Sequence, residues 1–147
     1  MIIIFDLHGV IFDYDPKDVN YEIFILKSGL EILKSCAQQR DKTGQKTHKL
    51  YILSNWGNAG FQKIKQTYPD ILALFDGQVI SGECGYSKPS REIFEVLINR
   101  YQLVNQPCIL IDDTAINVAR AKQFGWIGIH YEDPTHVTNL LKKLNIF

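Results

Sequence analysis

A chain of 147 residues that is 46% apolar and 22% charged can bury one hydrophobic core and leaves little for a second. Its 16 basic and 16 acidic residues cancel to zero, which argues against a broad electrostatic grip on nucleic acid or an anionic membrane. Three cysteines, Cys36, Cys84 and Cys108, are too few and too scattered for a disulfide framework or a zinc site.

The chain opens MIIIFDLHGVIFDYD. Ile2 to Phe5 is an apolar run that predicts a buried strand ending at Asp6. Gly9 permits a sharp turn, and Val10, Ile11 and Phe12 form a second apolar run closed by Asp13, Asp15 and Pro16. With no basic flank and Asp6 in its midst, the opening reads neither as a signal peptide nor as a membrane span, so the expected location is cytoplasmic. Residues 17–27 fit a short helix or a loop. Leu30, Ile32, Leu33, Cys36 and Ala37 recur at helical spacing and predict a helix over 28–39, with Ser28 and Glu31 as a capping box. Residues 40–49 are polar and loop-like.

A second strand is predicted over 50–53, ending at Ser54 and Asn55, and then a helix over 57–68 stopped by Pro69. A short strand at 78–80 leads into the loop SGECGYSKPS. The helix over 90–101 carries Ile93, Phe94, Leu97 and Ile98 on one face. The strand over 108–111 ends at Asp112 and Asp113. It is followed by a helix over 114–124 with Ala115, Val118, Ala119 and Ala121 inward. A strand at 126–130 and a helix at 134–144 close the chain. This alternation predicts an α/β fold in one domain spanning 1–147, a doubly wound parallel sheet of about five strands.

Asp6, Ser54, Lys88 and the pair Asp112–Asp113 all fall at or just after strand ends. In a parallel sheet these ends share one edge, where ligands bind. Three carboxylates brought together need a cation between them, and hard oxygens suit Mg²⁺. Lys88 adds a positive charge and Ser54 a hydroxyl, a set that suits phosphate beside a metal ion. Taken singly, Lys88 reads as a solvated loop lysine, and Ser54 and Asp112–Asp113 as helix caps. Their common placement makes them a site. Asp13-x-Asp15 reads as an acidic turn, and His48, His130 and His136 lack ligand spacing. Tyr14, Tyr86 and Trp56 flank the motif blocks and fit either the mouth of a site or ordinary packing.

The blocks IIIFDLHGV, LYILSN, SKPSREIF and ILIDDTAINVARAKQFG resemble, in kind and order, those of the haloacid dehalogenase-like (HAD) superfamily. The resemblance spans residues 2 to 130. It implies the strand order 5-4-1-2-3 with Asp6 on the central strand. It also implies that Asp6 is a nucleophile forming an aspartyl-phosphate. Mg²⁺ would be held by Asp6, the main-chain carbonyl of His8 and Asp112, with Asp113 as a further ligand or the holder of a ligated water. Ser54 and Lys88 would hold phosphoryl oxygens, the amides around Leu7 and Asn55 would be further donors, and Asn117 would brace the Asp113 loop.

Two departures from the family pattern stand out. His8 occupies the place of the Asp that acts as general acid, a group worth about 10²–10⁴ in rate. Histidine can itself act as acid or base near neutrality. There is also no room for a full cap domain, so the crevice is expected to be open, or covered by another copy in a homo-oligomer. The expected activity is a Mg²⁺-dependent phosphohydrolase or phosphotransferase acting on a phosphorylated small molecule or macromolecule, with no nucleic acid or membrane partner. A second reading is a catalytically weak relative that binds Mg²⁺ and a phosphorylated ligand. A C–halogen hydrolase ranks third, because such enzymes enclose their substrate with a cap and need no Mg²⁺.

Overall fold

In the computed structural model, which describes residues 1–147, the chain is organised around β1 (Ile2–Phe5). On one side of it lie β4 (Lys49–Ser54) and then β5 (Gly77–Ile80), on the other β6 (Cys108–Asp112) and then β7 (Ile127–His130). All four pairings are parallel. Counted over the five predicted strands and read from the β7 edge, the order is 5-4-1-2-3, as the resemblance implies.

Side chains alternate across a strand, so a strand covered on both faces must be apolar throughout. Ile3 and Phe5 of β1 join Leu50, Ile52, Ile109 and Ile111 in one core. This core lies under α1 (Lys27–Ala37), α2 (Asn58–Thr67) and α7 (Pro134–Lys143), through Leu33, Phe61 and Leu141. Ile2 and Ile4 join Tyr51, Leu53 and Leu110 in a second core under α5 (Arg91–Tyr101) and α6 (Ala115–Gln123). The continuous apolar runs of the sequence are thus the physical signature of a two-sided sheet.

Several local readings are corrected. Residues 17–27 are neither a helix nor only a loop. β3 (Ile23–Ile25) pairs antiparallel with β2 (Phe12–Tyr14), Tyr14 opposite Ile23. Three-residue strands with Phe24 exposed are too short for a period-two pattern to show. The Ser28–Glu31 capping box does not form: Leu26 is the N-cap of α1 and makes no side-chain cap bond. The chain enters α1 straight from the hairpin, with Leu26 N–H donating to Ile11 O at 2.8 Å.

Pro69 opens a short helix, α3 (Pro69–Leu72), as well as ending α2, because its missing N–H costs nothing at a first helical turn. The loop after β5 contains one helical turn, α4 (Ser81–Cys84). In α6 the inward face is Asn117, Val118 and Ala121, while Ala115 and Ala119 are exposed. The three cysteines are free. No helix is long and apolar enough to cross a membrane.

Gly29 is buried at the start of α1, where a Cβ would overlap the carbonyl oxygen of Val10. Alanine normally stabilises a helix interior over glycine by up to about 1 kcal/mol. At Gly29 the sign should reverse: Gly29→Ala is expected to lower the unfolding free energy by about 1–3 kcal/mol, the cost of overpacking. Denaturant titration of the two proteins checks this, and a stabilised variant would contradict the close approach.

Candidate active site

Because β1, β4 and β6 are parallel, Asp6, Ser54 and Asp112 emerge at one edge of the sheet. Lys88, from the loop before α5, reaches in among them. Its Nζ lies 2.6 Å from Asp112 Oδ2 and 3.1 Å from Asp6 Oδ1, and its side chain is almost wholly buried. Asp6, Asp112 and Asp113 bring carboxylate oxygens within 4.8 Å of one another. Burial lifts the Asp6 carboxyl to about 7, with Asp112 and Asp113 adding to the rise and Lys88 opposing it. For Lys88, burial alone would favour the neutral amine, but Asp6 and Asp112 together hold it above its ordinary value.

The two aspartates of β6's end differ. Asp112 is fully buried and saturated: it accepts from Lys88 Nζ, from Thr114 N–H at 2.9 Å and from Asn117 Nδ2 at 3.2 Å. Asn117 therefore braces this loop through Asp112. Asp113 is only half-buried and lines the cavity above Asp6. His130 Nε2 lies 2.9 Å from the main-chain oxygen of Asp113 and fixes the loop from β7. His130 ends a predicted strand, like the other site residues, and that position was the signal that could have marked it.

Asp6 keeps an oxygen in reserve. Leu7 N–H donates to its Oδ1 at 2.8 Å and Lys88 contacts the same atom, so Oδ2 takes no protein partner. Gly9 has φ +76°, and a Cβ there would overlap Asp113 Oδ2. Gly9→Ala should lower stability by about 1–3 kcal/mol through strain at positive φ. It should also move Asp113 and weaken divalent-cation binding several-fold, read by calorimetric titration with Mg²⁺. Unchanged stability and cation affinity would contradict this packing.

Two of the expected site residues, Ser54 and Asn55, have side chains bonded within the protein. Ser54 is fully buried and does not line the cavity; its Oγ accepts from Trp56 N–H at 3.1 Å. Through this bond Ser54 shapes the turn that follows β4. Asn55 lines the cavity, and its side chain is engaged. Its Nδ2 donates to Lys88 O at 2.9 Å and its Oδ1 accepts from Lys88 N–H at 2.6 Å, so it holds the Lys88 backbone in place. His8 is exposed at the cavity wall. Its Nε2 is 3.2 Å from Asp13 Oδ1, and its ring stacks on Tyr14. Asp13, an acidic turn by sequence, is thus the carboxylate partner of His8.

The donor set fits a divalent cation. One ammonium among three carboxylates leaves the centre net negative, and the hard oxygens of Asp6 and Asp113 face the cavity side by side.

No family model matches the chain. A sesquiterpene phosphatase from Aspergillus oryzae is 26% identical over 95 residues, covering 65% of this chain. The chain spans 48% of the length of that curated relative. Among solved structures, an uncharacterized protein from Corynebacterium glutamicum is 26% identical at TM-score 0.67, covering 96% of this chain and 92% of its own. A HAD family enzyme from Bacteroides thetaiotaomicron, in complex with magnesium and inorganic phosphate, superposes at TM-score 0.72 with 15% identity, covering 92% of this chain and 98% of that one. A predicted HAD-like family hydrolase from Porphyromonas gingivalis gives TM-score 0.69 at 18% identity, covering 95% and 97%. The fold is that of HAD-family enzymes.

Proposed function

We propose that the chain is a Mg²⁺-dependent phosphohydrolase or phosphotransferase of the HAD type, working through an aspartyl-phosphate on Asp6. The observation that carries this reading is the convergence of Asp6, Asp112 and Asp113 with the buried Lys88 at one strand edge. The phosphatase relative and the magnesium- and phosphate-bound neighbour support it.

In this reading Asp6 and Asp113 would hold Mg²⁺, together with the main-chain carbonyl of His8. Asp112, saturated by Lys88, Thr114 and Asn117, adds its charge from behind. The bound ion supplies charge neutralisation for the carboxylates and the phosphoryl oxygens. The Asp6 oxygen that has no protein partner would attack phosphorus as the bond from phosphorus to the leaving oxygen breaks, and the alcohol departs with a proton from His8 or water. Lys88 offsets the charge on the carboxylate it touches, and Asn55 keeps Lys88 in position. Water would then attack the phosphorus of the aspartyl-phosphate, the bond from phosphorus to the Asp6 oxygen breaks, phosphate leaves with the water's oxygen and protons, and the Asp6 carboxylate is restored.

His8, 3.2 Å from Asp13, stands at the cavity wall in the place where the family pattern has its general acid. That position favours a second reading, in which the site binds Mg²⁺ and a phosphorylated ligand with little turnover. Hydrolysis of p-nitrophenyl phosphate, with Mg²⁺ and with a chelator, tests the pair. Turnover abolished by the chelator is expected. Turnover indifferent to metal contradicts the first reading, and tight Mg²⁺ and phosphate binding without turnover selects the second.

A further inference from the structure

The cavity above Asp6 has a volume of about 280 Å³ and two unlike sides. Its floor is the charged cluster of Asp6, Lys88 and Asp113. One wall is a column of rings. His8 stacks on Tyr14 at 5.2 Å, Tyr14 stacks on Tyr21 at 4.4 Å, and Trp56 sets its ring edge-on to His8 at 5.5 Å. The rest of the lining is polar, and Asn55, Asn117 and Thr114 each have a bonding partner within the protein. Asn55 bonds the Lys88 backbone through both ends of its amide, Asn117 donates to Asp112, and Thr114 Oγ1 lies 3.3 Å from Asp113 Oδ1. Recognition of a sugar or polyol needs hydroxyl partners placed for each of its oxygens. Asn55 and Asn117 direct their amides at other residues instead.

Tyr21 is the second observation. Its backbone sits at φ +51°, a left-handed conformation that is rare for a bulky residue and that persists where surrounding structure enforces it. The enforcement is visible: Tyr21 N–H donates to Asp18 O at 3.0 Å, and Asn20 N–H to Asp18 Oδ1 at 2.9 Å. This turn holds the ring against the cavity, which it lines. Tyr21 also borders a neighbouring groove of about 440 Å³, where Ile23 and Tyr68 stand among polar residues such as Lys63 and Gln66.

We propose, building on the phosphatase reading above, that the site selects phosphate monoesters of apolar alcohols over those of sugars and polyols. Tyr21, Tyr14 and Trp56 form the wall that recognises the leaving group.

The test is binding, so that it does not depend on turnover or on leaving-group acidity. Calorimetry with Mg²⁺ present would compare hexylphosphonate and 3-phenylpropylphosphonate with 3,4-dihydroxybutylphosphonate, inorganic phosphate serving as the reference. The two apolar phosphonates are expected to bind at least about tenfold more tightly than the diol, with a negative heat-capacity change from buried apolar surface. Tyr21→Ser should reduce the preference to about threefold or less, and Tyr21→Phe should retain it. Equal or tighter binding of the diol overturns the proposal, as does a preference that survives Tyr21→Ser. If inorganic phosphate binds and no phosphonate does, there is no leaving-group wall and the proposal fails alone. If inorganic phosphate does not bind either, the phosphatase reading falls with it.

Discussion

Asp6→Asn is expected to lower turnover of any phosphate ester by on the order of 10⁴-fold or more, as removal of a covalent nucleophile does in other enzymes. The amide cannot form the acyl-phosphate, and it replaces a carboxylate that meets both Lys88 and the cation site. The fold should survive. The Asp6 carboxyl is pushed up to about 7 by burial and by its acidic neighbours, which places its folded value above its unfolded one. A carboxylate shifted upward gives stability that is full below its unfolded value and is lost as pH rises to the folded value. Without divalent cation, the wild type should therefore weaken between about pH 4 and 7, by an amount on the order of a few kcal/mol. Asp6→Asn lacks that ionisation, so its melting temperature at pH 8 without metal should equal or exceed that of the wild type. Thermal scans over pH and steady-state rates on one ester check both halves. A variant that is inactive and also unfolded would leave the rate loss without mechanistic meaning, and one that retains activity would refute Asp6 as nucleophile.

The second large effect is on stability. Lys88→Met removes the only ammonium between Asp6 and Asp112. Breaking a buried ion pair at one partner costs about 3–5 kcal/mol, because the remaining charge is left uncompensated. That loss is expected at pH 8 without divalent cation, measured by denaturant unfolding. It should shrink at pH 5, where Asp6 takes up a proton and no longer opposes Asp112. It should shrink also in millimolar Mg²⁺ if the carboxylates hold that ion. A variant as stable as the wild type under all conditions would mean that Lys88 is not the counter-charge of this cluster.

The sheet was legible because each central strand is buried on both faces, so Ile2–Phe5 and Cys108–Ile111 show as unbroken apolar runs. The order of those strands came from the resemblance rather than from periodicity. The β2–β3 hairpin was hidden because Phe12–Tyr14 and Ile23–Ile25 are short and partly exposed. Asp6, Lys88, Asp112 and Asp113 were legible from a rule of place, since parallel strands deliver their ends to one edge. What that rule cannot give is depth and partnership. Ser54 has the right position along the chain but is buried and bonds Trp56 N–H, and Asn55 turns to the Lys88 backbone, a contact between loops 33 residues apart. Tyr21 carried no signal at all, because its place depends on a left-handed turn set by Asp18. Asp13 looked like turn chemistry, and only the hairpin brings it beside His8.

The most direct test of the central claim is to find where the phosphoryl group goes. The protein would be mixed with Mg²⁺ and p-nitrophenyl phosphate, quenched in acid within milliseconds, reduced with borohydride and sequenced by mass spectrometry. An aspartyl-phosphate at Asp6 predicts homoserine at that position and nowhere else, with none formed in Asp6→Asn. Phosphate found on another side chain, or product released by Asp6→Asn at the wild-type rate, would contradict it.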